Sequence, residues 1–212
     1  MALKPKPPGD KILHAFNLGL NETPDFGGQF QPNNSYHLPA YSVGLRDLDS
    51  LADANSIDSI AKEVAWQCLA VSTIAPTEQA VIGEVTPLHK APRPSGHVFD
   101  GEVRMTSLSH GPMINGAYQT ALKLSEQQRQ QELIEKYNLK GDFEPRMLRL
   151  PGLLITAIWL KSLANGGQDW ILPLHTKLPD LQKQNEEMYT MKEFLGIVKR
   201  RAQERLNSRV FD

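Results

Sequence analysis

Three histidines, His89, His97 and His110, fall in one loop-rich stretch together with Asp100 and Glu102. An imidazole within hydrogen-bond reach of a carboxylate can pass a proton near neutral pH, so this stretch is where hydrolysis or group transfer could be housed. Within it, His110 with Asp100, and His97 as a further imidazole, form the acid–base set that the residue types favour. Ser107, Ser109 and His110 are close in sequence, but a nucleophile needs its base oriented in space, and no Gly-x-Ser-x-Gly turn occurs to expose one. A polar connection between two strands would have the same composition.

The other reactive side chains point away from chemistry. Among six histidines no pair sits four apart on a helix, no His-Glu-x-x-His occurs and no cysteine stands at ligand spacing, so neither a metal nor a cofactor is expected. Cys68 is the sole cysteine; placed on the apolar face of an expected helix it reads as a small buried hydrophobe, not a nucleophile. Lys199, Arg200, Arg201, Arg205 and Arg209 crowd one C-terminal segment and could meet a phosphate backbone. Cations in the last turns of a helix also match its dipole, and Glu193 and Glu204 dilute the patch. Trp159 and Trp170 are candidate stacking residues for a bound partner, or a cross-strand aromatic pair that stabilises the core.

The whole chain narrows these options. With 23 Lys plus Arg against 24 Asp plus Glu it has no global field for nucleic acid or an anionic surface, so nucleic-acid binding is not expected beyond that local patch. Its 212 residues and 40% apolar content are enough to bury a core without staples. A single cysteine allows no internal disulfide, and the first residues lack the uninterrupted apolar stretch of a Sec-type signal; a cytoplasmic protein is the expectation. The longest apolar run, Leu150 to Leu160, is too short and too interrupted to span a bilayer.

These residues must be positioned by elements read from periodicity. The first ten residues, dense in Lys and Pro, read as a flexible arm, and the chain onward to about residue 45 reads as an irregular packed segment. Ile57, Ile60, Ala61, Val64, Cys68 and Val71 recur at helical steps, predicting a helix over 56–72 capped by Asn55 or Ser56. Strands are predicted at 81–88, interrupted by Gly83, and at 102–108; one helix or two at 115–138, stopped by Gly141. Residues 153–161 fit a helix or a strand by periodicity alone. Ile155, Thr156, Ile158 and Trp159 favour a central strand, returning through Asn165-Gly166 to a partner at 169–174. A last amphipathic helix covers 181–207, with Thr190 and Glu193 forming a capping box from which its regular part could start.

The fold class expected is α+β: a mainly antiparallel sheet containing a 150–174 hairpin, packed by three to four helices, with a long irregular N-terminal segment and residues 11–212 as a single domain. With no catalytic signature, the first expectation is a non-catalytic module that binds a protein partner or itself. A hydrolase or group-transfer enzyme using the His89–His110 region, and nucleic-acid binding through the basic end of the last helix, are the alternatives.

Overall fold

The computed structural model describes residues 2–23, 29–51, 56–74, 80–87, 102–110, 127–181 and 187–208. It is α+β, with antiparallel strands and four helices among those residues, and it contains the expected hairpin. The chain packs as two compact units. The first comprises Met1–Lys4, Tyr41–Lys62 and Leu133–Asp212, and the second Pro5–Ala40 and Glu63–Glu132.

In the second unit, helix α1 (Asp10–Glu22) and strand β1 (Phe30–Ser42) occupy much of the segment expected to be irregular. The helical spacing was present in Ile12, Ala15, Phe16 and Leu20, all buried. Prolines and glycines on either side obscured it. The last two residues of β1 already belong to the first unit. Strand order here is β4-β3-β2-β1, with β2 (Lys62–Ser72), β3 (Ala80–Pro87) and β4 (Val103–His110) pairing antiparallel.

Strand β2 overturns the helix expected over 56–72. Trp66, Cys68 and Ala70 pack with α1 on one face, while Leu69 and Val71 join Ala80 and Ile82 in a separate cluster. A strand apolar on both faces has a continuous hydrophobic run, in which helical spacing can always be found by chance. Ser56 does start a turn, its hydroxyl accepting from Asp58 N–H at 3.1 Å, and Ile60 and Ala61 N–H close on the Ile57 carbonyl before β2 begins at Lys62. Asn55 lies outside the described residues. Gly83 does not break β3. A Cβ there would stand 2.4 Å from the Phe16 ring, so the glycine is the seat that lets Phe16 reach zero exposure, a burial that contributes about 1.5–3 kcal/mol.

In the first unit, helix α2 (Leu45–Ser50) follows β1. Helix α3 (Gln127–Tyr137), which begins in the second unit, ends here. Strands β5 (Phe143–Leu150), β6 (Ile155–Ser162), β7 (Trp170–His175) and β8 (Tyr189–Thr190) run in that order, each antiparallel to the next. The last helix is α4 (Met191–Ser208). The N-terminal residues are tied at their start, since Leu3 bridges Phe143 and Lys4 pairs with Asp142 at 2.6 Å. Leu148, Leu150, Trp159 and Ile171 of the sheet close on Phe194, Leu195 and Val198 of α4 in one core.

Local signals set the boundaries of these elements. Helix α3 stops before Gly141, at Asn138, whose φ of 51° turns the chain so that Leu139 N–H reaches the Ile134 carbonyl at 3.2 Å. The part of that expected helix over 115–126 lies outside the described residues. Helix α4 starts at Met191 and not at Leu181, which sits in a short 3-10 turn. Its start is the capping box read from the sequence: Glu193 N–H donates to the Thr190 hydroxyl at 3.2 Å, and Thr190 N–H to the Glu193 carboxylate at 2.9 Å. The Thr190 hydroxyl, then its amide, hold the Glu193 carboxyl below its ordinary range.

Candidate binding cleft

Strands β5, β6 and β7 assemble a site that none of them carries alone. Arg149 pairs with Thr156, and Thr156 with His175, so three side chains form a row across three strands on one face. The row depends on a bulge between Thr156 and Ala157: Ala157 opposes Pro173, but Thr156 opposes His175, leaving Leu174 as the extra residue. Without that bulge Leu174 would stand opposite Thr156 and His175 would turn to the other face. Just past the strand, exposed Lys177 lines the same cleft.

The floor of the cleft is apolar. Pro151 opens a 3-10 turn after β5, and Leu154 follows it with φ 56° and ψ 44°, its N–H closing on the Pro151 carbonyl at 3.2 Å. A left-handed conformation costs a bulky side chain about 1–2 kcal/mol because Cβ crowds the backbone. Leu154 nonetheless stays 45% exposed, so burial recovers only part of that cost. Helix α4 braces the turn, with the Arg205 guanidinium donating to the Gly152 carbonyl and Leu45 packed where a Gly152 Cβ would be. Pro151, Leu154 and Ile155 with the cross-strand row and Lys177 enclose about 390 Å³, at the small end of ligand clefts, and no described lining residue is acidic.

At its other end β6 carries a polar node that is closed. Asp169 is 5% exposed, accepting from the Trp159 indole at 2.9 Å and from Ser162 N–H at 2.8 Å, with Lys161 3.4 Å away. Arg146, opposite Trp159 in register, lies in the corner between the Tyr41 and Trp159 rings, 4.8 Å from each centroid. Its Nε donates to Glu144 at 2.7 Å, and Asp58 accepts from Lys161 and faces Arg146 at 3.9 Å. Burial alone would raise the Asp58 carboxyl, but hydrogen bonds from Lys161 and Ser56 and the nearby cations bring it below its usual range. Each of these charges has a partner of opposite sign, so the node secures structure and offers no reactive group.

The residues singled out from sequence are dispersed. His110 ends strand β4, paired with Val81. Its proposed partner Asp100, with His97 and His89, lies outside the described residues. Trp159 is fully buried with its N–H engaged, which leaves no face for a ligand. Trp170 stands opposite Leu160, hence on the other face from Trp159, and packs edge-on to Tyr137 at 5.6 Å; the two tryptophans do not pair. Arg200 and Arg201 both donate to Asp180 at 2.9 Å, Arg201 also to Glu204, and Lys199 to the Leu51 carbonyl. Of the named basic cluster, Arg209 lies outside the described residues. Cys68 is buried in β2 and burial pushes its thiol up to about 12, so it carries no thiolate at neutral pH.

A larger cleft of about 550 Å³ lies in the second unit, where α1 meets β4, but Lys11 and Arg104 there share the lining with Glu22 and Glu102. Mixed charge gives it no preferred ligand sign. No group of metal-ligating side chains occurs among the described residues, and none of their helices is long and apolar enough to cross a membrane. Comparison with known families, curated proteins and solved structures gives no match for this chain.

Proposed function

We propose that this chain is a non-catalytic protein-binding module, and that its docking surface is the cleft between the 151–154 turn and the end of β7. One observation carries the reading: Leu154 is a large apolar side chain held in a left-handed conformation and left nearly half exposed. Local strain combined with an exposed apolar group serves neither stability nor solubility, and such combinations gather at ligand-contact sites. The occupant is a short segment of a partner protein that lays an aliphatic side chain on Leu154 and Pro151. The braced turn supports this reading, because a surface fixed before docking loses little entropy on binding. A reducing cytoplasm suits the protein, whose lone thiol is buried and protonated.

Panning a random peptide library against the immobilised protein tests the reading, with the Leu154→Asn protein as counter-target. Peptides enriched on the native protein should bind it about tenfold more tightly than the variant, the worth of one well-buried aliphatic contact. Failure to enrich any sequence, or equal binding to both proteins, would overturn it.

A further inference from the structure

We infer that Arg205, which stands outside the described lining of the cleft, is the positioning residue of its floor: by holding the Gly152 carbonyl it keeps Leu154 in the left-handed conformation that an occupant meets. This role rests on the docking surface proposed above and adds where that surface is controlled. A short helical turn ends with carbonyls that no following helical N–H takes. After the 151–153 turn, Leu154 N–H closes on the Pro151 carbonyl, and Ile155 stands opposite Leu150 as the first residue of β6. The Gly152 carbonyl is left for a side chain, and the Arg205 guanidinium donates to it. Two further contacts seat the same turn. A Gly152 Cβ would stand 2.4 Å from the Leu45 Cγ, so α2 fills that side, and Leu153 is buried in the core. All three contacts are made by residues other than Leu154.

Magnitudes show why the guanidinium matters most. The left-handed conformation disfavours a bulky residue by about tenfold in population. Leu154 is 45% exposed, so its own burial repays only part of that factor. An exposed hydrogen bond from a charged donor favours the state that holds it by about tenfold. The two factors are of one size, and losing the one from Arg205 leaves Leu154 divided between conformations. Leu45 and Leu153 confine the turn, but neither offers its carbonyl a donor. Arg205 lies exposed in the last turn of α4. A contact there that draws the guanidinium away acts on the cleft without entering it, by shifting the population of its docking conformation.

The test is NMR of the full chain in its native, Arg205→Met and Arg205→Lys forms, read at Leu154. A short acetylated and amidated peptide alternating serine and leucine is titrated in as the aliphatic probe. A positive φ brings the amide and α protons of one residue close together, so the left-handed conformation gives a strong cross-peak within Leu154. Methionine keeps an aliphatic stem without the donor, lysine restores a charged donor, and circular dichroism confirms that each variant is folded. The cross-peak should be strong in the native chain, weaken about twofold or more in Arg205→Met and recover in Arg205→Lys. The peptide should shift the Leu154 methyl signals of the native chain, with affinity in Arg205→Met lower by that same factor of about two or more, as the competent population falls. An unchanged cross-peak in Arg205→Met, with the peptide still shifting the Leu154 methyls, overturns the positioning role and leaves the docking surface standing. A weakened cross-peak with unchanged peptide affinity overturns that role equally, because the conformation would then have no bearing on docking. No response of the native Leu154 to the peptide overturns the docking surface and, with it, the role that rests on it.

Discussion

Strand β6 ends in two different ways. At Ser162 the polar groups of the hairpin converge on Asp169, where indole and amide donors meet a buried carboxylate and little is left unsatisfied. At Ile155 the same strand emerges from a left-handed Leu154 beside a cleft lined by Arg149, Thr156, His175 and Lys177. A buried polar group has to be satisfied or the fold loses stability, so the first end follows the rules of a stable protein throughout. The second end departs from them in conformation, with Leu154 left-handed and nearly half exposed. Departures of that kind are retained where a surface has a task other than stability.

The comparison can be broken first at the closed end, where the largest effect is expected. Asp169→Ala removes the acceptor for Trp159 and Ser162 and leaves both donors buried, so urea unfolding should show a loss of about 3 kcal/mol. A loss well under 1 kcal/mol would mean that the node does not hold the hairpin. Trp159→Phe keeps an aromatic ring and removes the indole donor, leaving that carboxylate oxygen to Lys161 alone. It should lose roughly half as much, about 1–2 kcal/mol.

A buried polar group in the second unit sharpens the contrast. His37 is 4% exposed, edge-on to Phe16 at 6.5 Å, with neither ring nitrogen hydrogen-bonded among the described residues. Burial lowers its pKa from the ordinary 6.5, so the folded state prefers the neutral ring. Protonation is then taken up preferentially by the unfolded chain: stability is full above pH 6.5 and falls as pH drops below that value toward the lowered folded pKa. His37→Leu should flatten this acid-side decline and raise stability near pH 7 by about 1 kcal/mol, read from unfolding midpoints across pH. A decline that persists unchanged would locate the acid sensitivity elsewhere. Thr190→Ala, which removes the hydroxyl from the α4 capping box, should cost about 1 kcal/mol at neutral pH. Part of the cap's contribution should disappear as pH falls through the lowered Glu193 pKa, because the protonated carboxyl is a poorer acceptor for the Thr190 donors.

How much of this was legible in the sequence follows from the range of each signal. The β6–β7 hairpin was readable because Gly166, with φ 69°, and the β-branched run from Ile155 are local. The Thr190–Glu193 box was readable for the same reason, and it set the start of α4 better than the apolar stripe did. Strand β2 was misread because both of its faces are buried, a property set by what packs on it and not by its own pattern. Strand β5 went unread despite alternating Phe143, Pro145 and Met147 against Glu144 and Arg146, since a proline and several charges interrupt its apolar residues. The cleft could not be read at all. Arg149 and His175 meet only through strand neighbours and a bulge, and the backbone conformation of Leu154 is imposed by the turn before it.

Among the described residues, Asn138 and Leu154 are the non-glycine residues with positive φ, and they supply the most direct measurement. Asn138 is the residue type that tolerates this conformation, and it ends a helix; Leu154 is not, and it faces a cleft. Denaturant unfolding of Leu154→Asn should show stability unchanged or raised by up to about 1 kcal/mol, since asparagine relieves the left-handed strain and little packing is lost. A clear fall in stability would mean that Leu154 is held in place by the fold itself, and the account of the cleft as a docking surface would lose its foundation.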